Sequence, residues 1–567
     1  MYHCKVARLS NPPRMPYPSE PFPHFVDDVL AYLYEALPGR ASLDGLHLHD
    51  DLLEDFSRQG VDTHARTLAG FSRRLSQIDR DGLSDSERID HRILSASLEA
   101  QTFELERVRG WERNPLMYAA TLGSALAGPT FLAYAPEAER ARRLLSRLRQ
   151  VPRFAKACED NVKEPAALLV KIGTEAWRGV RTFIDRDLPR GFASLDDLHI
   201  LGDLADASHE ASEAIAACID HFDKDVAPRA KASFRLGADV IEHYLKRTEG
   251  IGVSAERLVQ LALQWLSEAQ DEFRQAAGRI ENGEPADVWR RVKAAHVLDK
   301  GPLDGAAASL NELSAYLNKQ TLIAMPAMDP PVVAPTPDFE RWKPAGLWVS
   351  GAFETKVARP RLVLTGADAT WTEERRHEHL LDLNSLTRTS ILARESHPGR
   401  LSLAGALRQV DSKARKSTFF ASRAFQDGWA HYAEQALFDS GFRRGDHAAR
   451  LAQLAETLVG LSRLVVAIRL HTDDLSVEQG VRFFREEAYL EESTARREAE
   501  RGVFDPGYMF QAVGKRLLLQ LRRDYEEKQT GKTSVRAFHD AVLANGSLPI
   551  WAHRQLLLED RGALTLG

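Results

Sequence analysis

Residues 393–402 read Ala393-Arg394-Glu395-Ser396-His397-Pro398-Gly399-Arg400-Leu401-Ser402. A proline inside a helix lacks the N–H for the bond to residue i−4 and disfavours helical geometry in the residue before it. A helix reaching Glu395 must therefore break near His397-Pro398-Gly399, and Arg394 and Arg400 flank that break. A guanidinium is charged at any relevant pH and offers no lone pair to a cation. Neither arginine is a metal ligand.

Outward from the break, the next block is Asp427-Gly428-Trp429-Ala430-His431-Tyr432-Ala433-Glu434. At about 100° per residue, Phe425, Trp429, Tyr432, Ala433 and Ala436 form one apolar stripe. Asp427, His431 and Glu434 fall within about 60° of one another on the other side. Phe438 falls there too, so this side reads either as a polar surface face or as the wall of a site. Further on, Asp505-Pro506 reads as an N-cap with proline at the first helical position. Lys515 and Arg522, seven apart, share one helix face.

These blocks resemble the large, mostly bacterial domain-of-unknown-function family numbered 885, whose members look like zinc-dependent peptidases. That family carries His-Glu-x-x-Pro-Gly-His, then Glu-Gly-Trp-Ala-x-Tyr-Ala-Glu, then a C-terminal segment ending in Phe-His-Asp. Here the third block runs from Pro506-Gly507 through Gly514-Lys515 and Leu521-Arg522 to Phe538-His539-Asp540, then Gly546-Ser547-Leu548-Pro549. Leu83-Ser84-Asp85-Ser86-Glu87-Arg88-Ile89-Asp90 is similar to the family's early segment. Such motifs work because a helix aims two imidazoles at one zinc while the glutamate activates the bound water. The resemblance implies that Glu395 holds the general-base position and that Arg394 and Arg400 replace the two histidines. It gives the third ligand position to Asp427 or Glu434, and makes Tyr508, Lys515, Arg522 and His539 candidate cleft contacts. The alternative for His539 and Arg522 is a structural one, hydrogen bonds tying the C-terminal helices together.

Charge accounting adds an expectation. Two guanidiniums beside Glu395, Asp427 and Glu434 supply the charge a divalent cation would have brought, and guanidinium forks match carboxylates. An ion-pair cluster in place of the metal is the simplest outcome, with no cofactor. The rival is a displaced zinc site from His397, His431 and Glu434, whose ligand types suit zinc. His377 and His379 have the wrong spacing for one helical face.

The 567 residues allow two to four domains or one two-lobed unit. Apolar content of 44% supports a large core, and a net charge of −6 gives no global field toward nucleic acid or membrane. In the Arg-rich segment 140–153, Leu144, Leu145, Leu148 and Val151 repeat at helical spacing, which reads as a solvated helix face rather than an anion site. Pro136 suits that helix's first turn. Cys4, Cys158 and Cys218 form no Cys-x-x-Cys pair. Met1 to Pro23 is proline-rich without an apolar h-region, and no run of about 18 apolar residues occurs, so the default is a cytoplasmic chain with no transmembrane helix.

Helical periodicity dominates the rest. Ser84 to Glu87 reads as a capping box. Residues 203–246 and 254–280 are amphipathic, and Gly250-Ile251-Gly252 between them divides an N-terminal lobe, 1–250, from a C-terminal lobe, 251–567. Seven prolines fall in 326–360, beside two β-like runs, Leu347-Trp348-Val349 and Leu362-Val363-Leu364. These runs could hold a substrate backbone or form a small structural sheet. Gly531-Lys532-Thr533 resembles the end of a phosphate loop, but Glu526 stands where the first glycine is required. Gly460-Leu461-Ser462-Arg463-Leu464 lacks the final glycine of a nucleophile elbow. The expectation is a mainly α, two-lobed, metallopeptidase-like architecture with a β element near 345–365 and a central cleft. Its function would be binding of a peptide or small molecule without zinc catalysis; the alternatives are an active metal-dependent hydrolase or a scaffold.

Overall fold

The computed structural model describes residues 21–298, 300–324, 328–473, 475–530 and 533–566. Cys4, the proline-rich start up to residue 20, Pro326 and the Gly531-Lys532 pair lie outside the described residues.

The chain is mainly α-helical, with one small sheet. The elements that build the site are α1 (Ala255–Gly278), α2 (Ser385–Glu395), α3 (Arg400–Leu407), α4 (Arg423–Asp439), α5 (His447–Thr472), α6 (Glu492–Phe504) and α7 (Phe510–Lys528). The sheet comprises β1 (Val332–Pro335), β2 (Ala345–Trp348) and β3 (Arg361–Leu364) in the order β1-β3-β2. β2 pairs antiparallel with β3, with Ala345 opposite Leu364, and packs against α2. β1, which the prolines hid from the sequence reading, runs parallel to β3 on the edge, where the missing N–H of Pro335 costs least.

Helix α5 is the centre of the largest core cluster, which spans Ile241 to Ile550. It is long and apolar enough to cross a membrane by composition, yet its apolar window is 89% buried inside the protein. A second cluster gathers the N-terminal helices around Trp177 and Phe183 and reaches Val363 of β3. A third joins Phe25 and Leu94 to Phe419, Leu548 and Trp551. Ser84 and Glu87 make both bonds of the expected capping box. The amphipathic stretch 203–246 is not one helix: Leu198–His221 ends before Pro228, and Ala238–Thr248 starts anew.

The Arg-rich segment departs from expectation. It forms two helices, Glu137–Leu148 and Val151–Asn161, with Pro136 as N-cap. Arg140 and Arg147 are buried rather than solvated. At 3.6 residues per turn they share the face of Leu144 and Val151, and each pays for burial with backbone acceptors. Arg147 donates to Leu52 O (3.0 Å) and Ala125 O (2.6 Å), and Arg140 to Ala135 O (3.1 Å).

Below this helix His47 stacks on Tyr134 and bridges two acids, Nδ1 to Asp50 Oδ2 at 2.8 Å and Nε2 to Glu354 Oε2 at 2.6 Å. Burial opposes its charge, but the two carboxylates outweigh burial and hold its pKa above the ordinary value. A raised histidine pKa contributes stability that is complete below about pH 6.5 and is lost as pH rises through the folded value. The wild type should therefore lose stability relative to His47→Gln between about pH 6 and 9. Urea midpoints of both proteins across that range test it; a constant difference would contradict the clip.

Candidate functional site

The site is built where α4 crosses α7. A Cβ on Gly514 would lie 1.7 Å from Ala424 O, and one on Gly428 would lie 2.4 Å from Gly514 C. Only two glycines let the backbones approach this closely. The break after α2 is held against the same helix. The indole Nε1 of buried Trp429 donates to the carbonyls of Pro398 and Gly399, both at 3.2 Å. A Cβ on Gly399 would lie 1.9 Å from Arg394 O, so the turn admits no side chain there. The expected kink thus places Arg394, at the end of α2, and Arg400, at the start of α3, facing α4.

Both arginines meet the α4 carboxylates. Arg394 Nη1 donates to Glu434 Oε2 at 3.1 Å, and its Nη2 to Glu456 of α5. Arg400 Nη2 donates to Asp427 Oδ1 at 2.6 Å, and its Nε to Glu395 Oε1 at 3.3 Å. From Asp427 the chain of pairs continues to Arg423 (3.2 Å), Asp505 (2.6 Å) and Arg501 (2.9 Å). Burial would depress Arg394's pKa, but Glu434 and Glu456 outweigh it and raise it. Glu434 is pushed the other way from most paired acids: burial raises its pKa, and Arg394 and Lys515 only partly counter it. One of its oxygens, Oε1, has no hydrogen-bond partner among the described residues. Asp427 is also buried, but Arg400 and Arg423 together hold its pKa below the usual carboxylate value.

The polar side of α4 is therefore interior, not surface. His431 lies there, 8% exposed. Burial, then Arg394, Lys515 and Arg463, hold its pKa well below the ordinary value, so the imidazole is neutral.

The remaining sequence candidates disperse. Tyr508 is fully buried, its hydroxyl donating to Glu498 O at 3.2 Å. Arg522 pairs with Glu526 at 2.7 Å. His539 bonds Tyr432 Oη at 2.8 Å and Leu322 O at 2.9 Å, and burial pushes its pKa down to about 4. Tyr508 and His539 tie separate elements together, whereas the Arg522–Glu526 pair lies within α7. Lys515, by contrast, lines a cavity, with its Nζ 3.1 Å from Thr457 Oγ1. Asp505 does cap the turn at Pro506 by position, but its carboxylate is taken by Arg423 and Arg501 instead of the backbone.

Glu456 was missed, although a signal existed. From Leu451 to Ile468 the only charges in an apolar run are Glu456 and Arg463, seven apart on one face. Arg463 Nη2 pairs with Glu498 Oε1 at 2.7 Å. A charge inside a core helix announces a buried partner.

The donor set does not fit a zinc ion. A guanidinium stands between Glu434 and Glu456, and His397 Nδ1 is engaged by Ser402 Oγ at 2.7 Å. The alternative set His397, His431 and Glu434 is not brought together: among the described residues no three His, Cys, Asp or Glu side chains could hold a metal.

The family described as "Bacterial protein of unknown function (DUF885)" matches residues 38–556. Two solved structures share the fold. One is described as a putative lipoprotein of unknown function from Shewanella oneidensis, with TM-score 0.75 and 19% identity over 95% of this chain and 100% of that one. The other is described as a putative lipoprotein from Colwellia psychrerythraea, with TM-score 0.78 and 15% identity over 95% of this chain and 98% of that one. No curated protein matches. The cytoplasmic expectation does not stand against these descriptions, since a lipoprotein is held at a membrane by its lipid. Three scattered cysteines fit an oxidising compartment as readily as a reducing one, so they could not have decided the matter.

Proposed function

Because the chain belongs to the bacterial DUF885 family, we propose that it is a metallopeptidase-like protein whose zinc site has been replaced by ion pairs and whose cleft binds a peptide or small molecule. The observation supporting this reading is the Arg394–Glu434 pair at 3.1 Å, which joins a replaced histidine position to one of the two carboxylates, Asp427 or Glu434, that the resemblance offers as the third ligand position. Arg400 pairs at 2.6 Å with Asp427, joining the other replaced histidine position to the other of those carboxylates. Glu395, at the position that the resemblance gives to the general base, is engaged by Arg400 at 3.3 Å.

Elemental analysis after purification without chelator should find far less than one zinc per chain, and chelator should leave thermal stability unchanged. About one zinc per chain, lost in Glu434→Gln or His431→Ala, would reverse the reading in favour of a metal-dependent hydrolase. The converse experiment is Arg394→His with Arg400→His, which should confer zinc affinity measurable by titration. Failure of the double variant to bind would mean that the backbone of the site has drifted as well as its ligands.

A further inference from the structure

Beside the ion pairs a cavity of about 130 Å³ opens between α1, α4, α5 and α7. Its floor holds Lys515 and His431, and Trp265, Leu454, Leu461 and Leu519 supply apolar wall. Glu268 and Glu272, exposed at the rim, give the cavity access to solvent. Three features of the floor are unspent. Thr457 is the one hydrogen-bond partner of Lys515 Nζ among the described residues. His431 has no hydrogen-bond partner there. Gln453 Oε1 is buried without one. A buried polar group without a partner is costly and calls for an explanation.

We propose that Lys515 is a reactive amine that condenses reversibly with a small aldehyde or ketone bearing an apolar body, which the cavity receives against Trp265 and Leu461. A neutral carbonyl compound fits the charges. Arg394 is already matched by Glu434 and Glu456, and an added anion would face Glu456 at the cavity wall. The groups acting on Lys515 are Glu434 and Asp439, which favour its charge, and Arg450 and Arg394, which oppose it. Burial exceeds them all and pushes the amine down to about 8, so a neutral fraction exists near neutral pH.

In the reaction the Nζ lone pair adds to the carbonyl carbon and the C=O π pair moves to oxygen. Nitrogen loses a proton and the oxygen gains one, giving a carbinolamine. A second proton, taken from solvent at the open mouth, protonates that oxygen; the C–O bond breaks, water leaves, and the nitrogen lone pair forms the C=N bond of a protonated imine. No oxidant or reductant is consumed. The neutral His431 imidazole, lining the same cavity, can accept the nitrogen's proton and return it to the departing oxygen. This inference rests on the reading that His431 carries no metal, and its readout, an adduct on Lys515, is separate from zinc content.

The test is reductive trapping on the full chain with butanal and sodium cyanoborohydride, followed by peptide mass mapping. Lys515 should carry the butyl adduct at about tenfold or greater occupancy than solvent-exposed Lys171 under limiting butanal, and its labelling should saturate. Leu461→Trp, which fills the cavity, should cut labelling of Lys515 about tenfold and leave Lys171 unchanged. An unmodified Lys515 in the folded wild type, with adducts on surface lysines only, overturns the proposal whether or not the variant folds. Labelling of Lys515 that never saturates overturns it too.

Discussion

Arg394→Met is expected to destabilise the protein by about 3–5 kcal/mol, because it leaves Glu434 buried and unpaired, facing the half-buried Glu456. The side chain of Glu434 is 2% exposed and that of Arg394 7%, so solvent screens little of this interaction. Burial already raises the pKa of Glu434, and loss of Arg394 would raise it further above its unfolded value. Such groups cost stability that grows as pH rises from about 4.3 through the folded value. The deficit of the variant should accordingly shrink as pH is lowered toward about 4.3. Glu434→Gln should cost less, about 1.5–3 kcal/mol, since Arg394 keeps Glu456. Arg400→Ala should cost less again, for Arg400 is 32% exposed. Replacing Arg394, Glu434 and Glu456 together by apolar residues of similar volume should recover most of the loss. Urea denaturation of the four proteins gives the ranking. A loss below about 1 kcal/mol for Arg394→Met would be the value of a surface pair, and the buried-triad account would fail.

Gly514→Ala is the second large effect, at about 3 kcal/mol or more, through overpacking rather than charge. Its added methyl would lie 1.7 Å from Ala424 O, a backbone atom that no rotamer change can move. Relief requires α7 to slide from α4, and that displaces Lys515 from the cavity and loosens the seat of His431. Gly460→Ala on α5 is the control, because a Cβ there meets nothing within 4 Å; it should be neutral or slightly stabilising through helix propensity. Equal melting temperatures for Gly514→Ala and the wild type would show that the crossing is not as close as described.

Much of the site's backbone was written locally. Pro398 lacks the N–H that α2 would need to continue, so the break at His397-Pro398-Gly399 required no tertiary information. Ser84 and Glu87 specified their capping box for the same reason, both partners lying within one turn. The stripe on α4 was likewise legible from its period, as was the pairing of opposite charges across the break. The run Leu362-Val363-Leu364 became the central strand β3 because all three residues are buried, a pattern visible in composition alone.

What sequence could not supply was depth and distant partners. The same period that makes Asp427, His431 and Glu434 a face is silent on whether that face meets water; α5 and α7 closing over it decided that it is interior. Arg140 and Arg147 were misread as solvated for the same reason, since their backbone acceptors at Leu52 and Ala125 come from other segments. Glu456 joins Arg394 across 62 positions, and β1 joins β3 across the intervening residues 336–360. Local geometry follows from each residue's own sterics and hydrogen-bond capacity. The dielectric around a charge, and hence whether Arg394 and Lys515 are surface groups or buried ones, is set only by the helices that pack over them.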